Sequence, residues 1–225
     1  MTFVLMLACA AAPPAESAPE ATSGASTVSI CVDPEGPATS ADGQSGTMPH
    51  STRRAEELAW RIHDHERRTF DCACRYEGGA ERPWEARTQP ETCEVPASVP
   101  SEVRWRRVVP RARLQEHFRC GAHCNHAAFR DLANLVPARA RSPLRFCFDD
   151  EEPTTCATTR TCTTPASWAR GDIARIAFYM EHTYGITLRD EERTTLERWA
   201  EEDAPDDDEE RRWSEIRALQ GRGPE

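Results

Sequence analysis

Apolar residues at helical spacing dominate the C-terminal third of the chain. Residues three and four positions apart fall on one face of an α-helix, and the first such series ends at Gly185, a typical helix stop. Asp190 is predicted to cap a second helix, and a third helix follows. We interpret the three stripes as core packing. Their apolar positions are Ile173, Ile176, Ala177, Met180 and Tyr184, then Leu196 and Trp199, then Trp213, Ile216 and Leu219.

The N-terminal quarter has a different pattern. Residues 1–9 are apolar up to Cys9 and look like a bacterial lipoprotein signal, although no basic segment precedes them. This stretch is too short to span a bilayer. Residues 10–52 are rich in Ala, Pro, Ser, Thr and Gly, which predicts a flexible linker, with Cys31 unexplained inside it. A single folded domain is therefore expected over residues 53–223.

Helix and strand patterns are mixed in the first half of this domain. Apolar spacing predicts an amphipathic helix from about residue 55 to 68, followed by an extended segment over residues 69–76 that disulfides hold in place. Valines and a tryptophan over residues 103–109 predict a strand. Residues 129–132 open a short helix that Pro137 ends. The mixture indicates an α+β fold.

The cysteines indicate the compartment. The chain has 10 cysteines, and eight of them lie between Cys72 and Cys162. An even, dense set favours disulfides and an oxidising compartment, so we expect an extracytoplasmic protein. It would be a periplasmic or outer-membrane lipoprotein tethered to the membrane through a lipid on Cys9, or a secreted protein. Spacing does not fix the connectivity, and Cys120-x3-Cys124-x-His126 leaves zinc open as an alternative to a disulfide.

Charge is unevenly distributed. The chain has a net charge of -10 and contains no lysine, so all 28 basic residues are arginine. Residues 101–145 carry a net charge of +7, whereas residues 1–100 carry -7 and residues 146–225 carry -10. A polyanion would be attracted to the basic segment and repelled elsewhere, with strong salt dependence. The alternative is that the basic residues cluster along the chain without forming a surface patch.

Two blocks in this basic segment resemble the two halves of the active centre of the bacterial endonuclease I family. They are Trp105-Arg106-Arg107-Val108-Val109-Pro110 and Asp131-Leu132-Ala133-Asn134-Leu135-Val136-Pro137-Ala138. Further similar blocks occur in the family's order, at residues 58–76, 170–188 and 213–221. The resemblance covers about three quarters of the chain. It implies a disulfide-rich α+β domain with a ββα-metal (His-Me finger-like) nuclease core and flanking helices. It further implies a monomer that hydrolyses DNA or RNA non-specifically with Mg²⁺.

The resemblance assigns roles to four positions. In the family the first block reads Trp-Glu-His-Val-Val-Pro; the histidine is the general base and the glutamate holds Mg²⁺. Arg106 and Arg107 stand at these two positions here, and arginine neither coordinates a cation nor accepts a proton at working pH. Asn134 matches the family's metal-ligating asparagine. Arg119 is the candidate for its transition-state arginine, within a shortened stretch.

The remaining titratable residues offer candidates for a relocated base. His123 and His126 lie near the asparagine block, and Glu116-His117 recreates a Glu-His pair beyond the strand. The alternative is that these are ordinary exposed residues. His63 and His65 on the first helix are expected at the surface.

Two functions follow from these residues, and the double arginine favours the second. The first is a metal-dependent endonuclease with altered catalytic residues. The second is an inactive protein that binds DNA or RNA non-specifically through its arginines; an envelope scaffold without a nucleic-acid role is a third possibility. The candidate phosphate-binding residues are Arg104, Arg106, Arg107, Arg111, Arg113 and Arg130.

Overall fold

The computed structural model describes residues 47–79, 85–94, 100–121, 124–140, 146–148, 156 and 161–223. Helices and small antiparallel sheets are mixed along them, which confirms the α+β class. The helices are α1 (Thr52–Ile62), α2 (Arg111–His117), α3 (Arg170–Tyr184), α4 (Asp190–Glu202) and α5 (Asp207–Gln220). The strands are β1 (Tyr76–Glu77), β2 (Arg87–Thr88), β3 (Val103–Arg107) and β4 (Leu135–Arg139). The predicted signal, Cys9, Cys31 and most of the predicted linker lie outside the described residues.

The three predicted C-terminal helices are confirmed. α3 buries its apolar face in the main core, and Gly185 ends it at a φ of 69°, in the left-handed region where glycine carries no side-chain penalty. α4 begins at Asp190, but Asp190 is not its cap. The cap is Arg189, because its backbone N–H donates to the Glu192 carboxylate at 3.0 Å and the helix starts one residue later.

Buried ion pairs fix α5 against α3. Arg212 donates to Asp172 at 2.6 Å, and both side chains are less than a tenth exposed. Arg175 donates to Glu209 at 2.7 Å. Burial raises the pKa of Asp172 well above its ordinary value; Arg212 opposes this shift, and the neighbouring Glu209 adds to it. Paired, hydrogen-bonded charges of this kind hold the two helices in one arrangement.

α1 is shorter than predicted. Ser51 caps it by accepting a hydrogen bond from Arg54 N at 3.1 Å, and the helix ends at Ile62 instead of near residue 68. The expectation that His63 is a surface residue is wrong, because its side chain is 4% exposed and its ring lies 5.4 Å from that of Trp105. Burial lowers the pKa of His63 well below its ordinary value.

The predicted strand is confirmed as β3, and its partner corrects a second prediction. The segment after residue 129 forms two 3₁₀ turns and then β4, not a helix ended by Pro137. Pro137 lies inside β4, opposite Trp105. Val108 N donates to Asn134 O at 3.2 Å, so Pro137 falls at a position of the antiparallel ladder that needs no N–H donor toward β3.

Four disulfides join cysteines among the described residues, which confirms the prediction that the cysteines form disulfides. They join Cys72 to Cys156, Cys74 to Cys93, Cys120 to Cys124 and Cys147 to Cys162. The pairing of Cys120 with Cys124 favours the disulfide over the zinc alternative. The segment predicted to be extended closes as a turn, because Ala73 N donates to Thr69 O at 2.9 Å and Ala73 has a φ of 53°.

In the part of the chain that the structure describes, no helix is long and apolar enough to cross a membrane.

Candidate nucleic-acid interface

The two blocks that carry the resemblance lie together in space. β3 and β4 pair antiparallel, with Arg106 opposite Val136 and Arg107 opposite Leu135. The connection between the strands contains α2 and the two 3₁₀ turns, Ala127–Phe129 and Leu132–Asn134. Residues separated by about 30 positions in the sequence therefore form one ladder.

Asn134 is a structural link between the two blocks. Its Oδ1 accepts a hydrogen bond from Val109 N at 2.8 Å, and its Nδ2 donates to Val109 O at 3.1 Å. The residue is 1% exposed. Both polar atoms of the amide are thus engaged with the backbone of Val109, at the position where the resemblance implies a metal ligand.

A buried carboxylate holds the turn that carries Asn134. Asp131 caps this turn by accepting a hydrogen bond from Ala133 N at 2.9 Å. Its side chain also accepts hydrogen bonds from Tyr179 at 2.9 Å, Tyr184 at 2.6 Å and Gln220 at 2.9 Å. Because these donors lie on α3 and α5, the C-terminal helices position the asparagine block. Burial raises the pKa of both tyrosines, and the Asp131 carboxylate adds to the shift, so both hydroxyls stay protonated and donate.

Arg106, at the family's glutamate position, is held within the fold. Its Nη2 donates to Ala140 O at 2.9 Å. Partial burial lowers the pKa of Arg106, and the nearby Asp71 carboxylate opposes this shift. Asp71 is fully buried and accepts a hydrogen bond from Arg139 Nε at 2.9 Å. One acidic side chain therefore compensates two arginines beside β4.

Arg107, at the family's histidine position, donates from Nη2 to Phe129 O at 3.1 Å. Burial lowers its pKa, Glu56 opposes the shift, and Arg111 acts in the same direction as burial. A guanidinium has five N–H donors and no acceptor, so this position supplies no general base.

Glu56 is a residue near this site that sequence analysis missed. Burial raises its pKa, against the opposing influence of Arg107 and Arg104 on β3. The signal was available: Glu56, Trp60 and His63 follow helical spacing, and the rings of Trp60 and His63 both contact Trp105 on β3. This face of α1, which is separate from the apolar stripe of the helix, packs against β3.

The other predicted arginines divide into two groups, those that pair with a carboxylate and those that lie near α2 and the first 3₁₀ turn. Arg113 lies 2.9 Å from Glu192 and also donates to Thr187 O, so it links α2 to the α3–α4 region. Arg104 pairs with Glu102 next to it on the surface. Arg111, Arg119 and Arg130 belong to the second group, near α2 and the first 3₁₀ turn. Arg119 is exposed at a φ of 50° just after α2 and makes none of the contacts described at β3 and β4.

Cationic and aromatic side chains surround Phe129, which is itself buried, and Arg111 and His126 among them are exposed. The Arg111 guanidinium lies 5.2 Å from the Phe129 ring centre, and the Phe118 ring lies 6.4 Å from the same ring. The His126 ring stacks on Phe118 at 3.7 Å. We call this surface the arginine–aromatic face. Its members are Arg107, Arg111, Phe118, His126, Phe129, Arg130 and Arg222.

The relocated-base candidates fall at the edge of this face or outside the described residues. His117 lies on α2, beyond the strand as predicted, with Nε2 3.0 Å from Tyr184 O. Glu116 precedes it as an exposed residue of the same helix. The Nδ1 of His126 already accepts a hydrogen bond from Ala128 N at 3.3 Å. His123 lies outside the described residues.

The side chains at the predicted metal position do not fit Mg²⁺. Each polar atom of the Asn134 amide already makes a hydrogen bond to Val109, and Arg106 is a cation where the family has a carboxylate. Among the described residues, no three His, Cys, Asp or Glu side chains are grouped so that they could hold a metal ion. Magnesium stays a prediction of the resemblance.

A scan of the chain against models of protein families finds no match, and a search among curated proteins finds no significant relative.

Proposed function

We propose that this protein binds nucleic acid without hydrolysing it and descends from nucleases of the endonuclease I family. The proposal includes a ββα-metal core built on β3 and β4, retained as a scaffold. Its support is that the two resembling blocks pair as one ladder, while Arg106 and Arg107 occupy the positions of the metal ligand and the base. The disulfides favour an exported protein, periplasmic, lipid-anchored at the outer membrane, or secreted.

The observation that carries the proposal is the arrangement at Phe129. Arg107 donates to the backbone of Phe129, and Arg111 lies over its ring, so two guanidinium groups contact the same residue beside the position of the family's neutral base. Arginine binds phosphate oxygens through paired N–H donors and stays charged at any physiological pH. This position is therefore suited to hold a phosphodiester and has no group to activate water.

The charge distribution along the chain supports binding of a polyanion to the arginines and not to the acidic C-terminal region. Residues 201–210, at the junction of α4 and α5, contain eight acidic residues and no arginine. A nucleic acid would be repelled there and attracted to the arginine–aromatic face. If the protein neutralises about four phosphates when it binds a duplex, its affinity should fall roughly 100-fold as the salt concentration rises from about 50 to about 200 mM.

The test is a titration of the full-length, oxidised protein into fluorescein-labelled DNA in EDTA, followed by anisotropy at several salt concentrations. We expect Arg111→Ala to weaken binding and to reduce the salt slope by about 1. Arg198→Ala is the matched control, because Arg198 is an exposed arginine of α4 that pairs with Glu202. If the wild-type protein does not bind DNA, the envelope scaffold explains the protein better. If Arg111→Ala and Arg198→Ala weaken binding equally, the proposed interface is wrong.

A further inference from the structure

The His126 ring is held in a fixed orientation at the surface. Its face stacks on Phe118 with ring centres 3.7 Å apart and an angle of 24° between the planes. Its Nδ1 accepts a hydrogen bond from Ala128 N at 3.3 Å, which leaves the proton of the neutral ring on Nε2. The residue is exposed although two contacts fix its ring. An aromatic ring ordered before binding loses little entropy when a ligand packs on it.

Arginine side chains lie near this ring. Arg222, His117 and Arg130 all act on His126, and the Arg222 guanidinium lies 5.2 Å from the ring centre of Tyr184, whose own ring is 5.7 Å from that of His126. Partial burial lowers the pKa of His126, and Arg222, His117 and Arg130 add to this effect. The ring is therefore mostly neutral at pH 7, while the charge that attracts a phosphate is supplied by the neighbouring arginines.

We infer that His126 and Phe118 form a stacking platform for an unpaired nucleobase, with Arg130 and Arg222 binding the adjoining phosphates. This inference rests on the proposed function and specifies its ligand as single-stranded nucleic acid. Bases in a duplex are already stacked on their neighbours, whereas a single strand presents a free base face. A neutral aromatic ring beside cations matches the alternation of base and phosphate along such a strand.

The first test compares a single-stranded oligonucleotide with its duplex, using the full-length, oxidised protein. We expect the wild type to prefer the single strand. His126→Ala should lower single-strand affinity by about tenfold while changing duplex affinity little, because one stacked base is lost. His126→Phe should keep the preference, since stacking is retained without an ionisable group. His65→Ala, at an exposed histidine after α1, should behave as wild type.

A second measurement separates this inference from the proposed function. Adenosine monophosphate and ribose 5-phosphate are titrated separately while the His126 ring protons are followed by NMR. Stacking predicts an upfield shift with the nucleotide and none with the sugar phosphate. An upfield shift with adenosine monophosphate alone, together with no binding of DNA or RNA, would support the stacking platform and refute the nucleic-acid function. DNA binding with equal losses for single strand and duplex in His126→Ala, or identical shifts with both small probes, would overturn the platform alone.

Discussion

Replacing Asn134 with alanine should destabilise the fold whether or not a metal is present. The substitution removes two hydrogen bonds and leaves the N–H and C=O of Val109 without their partner in a region where Val109 is 2% exposed. Each buried backbone group left unsatisfied costs about 1–3 kcal/mol. We therefore expect a loss of roughly 2–5 kcal/mol in the free energy of unfolding. For a protein of this size, each kcal/mol corresponds to about 2–4 °C in Tm.

The assay is urea denaturation of the oxidised protein in EDTA, with Asn125→Ala as the control. Asn125 is an exposed residue of the same type, so its replacement should change stability by less than about 0.5 kcal/mol. An asparagine that served only as a metal ligand would leave the stability of the metal-free protein intact. Equal stability of Asn134→Ala and wild type in EDTA would therefore refute the structural role.

Three further predictions concern charge and disulfides. Glu56→Gln should raise DNA affinity about three- to tenfold, because it removes a negative charge beside Arg107, whereas Glu57→Gln on the same helix should change it little in the same anisotropy assay. Burial acts to raise the pKa of Glu192, but hydrogen bonds from Arg189 and Arg113 outweigh burial and lower this pKa to about 2. Its contribution to stability is therefore present above about pH 4.5 and lost as pH falls toward about 2, and Glu192→Gln should flatten this part of a Tm–pH profile. Removing the disulfide that joins Cys72 to Cys156 should lower the free energy of unfolding by about 4–5 kcal/mol, whereas removing the one that joins Cys120 to Cys124 should lower it by about 2 kcal/mol. The reason is that the first disulfide closes a loop of 84 residues and the second a loop of 4. Equal losses in urea denaturation would contradict this chain-entropy argument.

The helices of the C-terminal third follow closely from the sequence. The apolar stripe from Ile173 to Tyr184 repeats at helical spacing over about three turns, and Gly185 is a strong local stop. Such long periodic segments depend little on distant residues. The strand at residues 103–107 is predictable because Val103 and Trp105 favour extended structure, although Val108 and Val109 lie beyond its end.

The errors lie where tertiary contacts override local preference. Pro137 favours a chain break, yet it lies in β4 because the antiparallel register places it where no N–H is required. His63 is polar and follows a helix, yet it is buried against Trp105. At the site, sequence alone placed the two blocks together only through the resemblance. It could not foresee that the Asn134 amide would be engaged by Val109, because that contact spans 25 residues.

The most direct test of the account is incubation of the full-length, oxidised protein with plasmid DNA, with Mg²⁺ and with EDTA, alongside a binding measurement at low and high salt. The account predicts intact plasmid in both buffers and binding that weakens steeply as salt rises. Cleavage that requires Mg²⁺ and disappears in an Asn134→Ala protein shown to be folded would contradict it and identify an active nuclease.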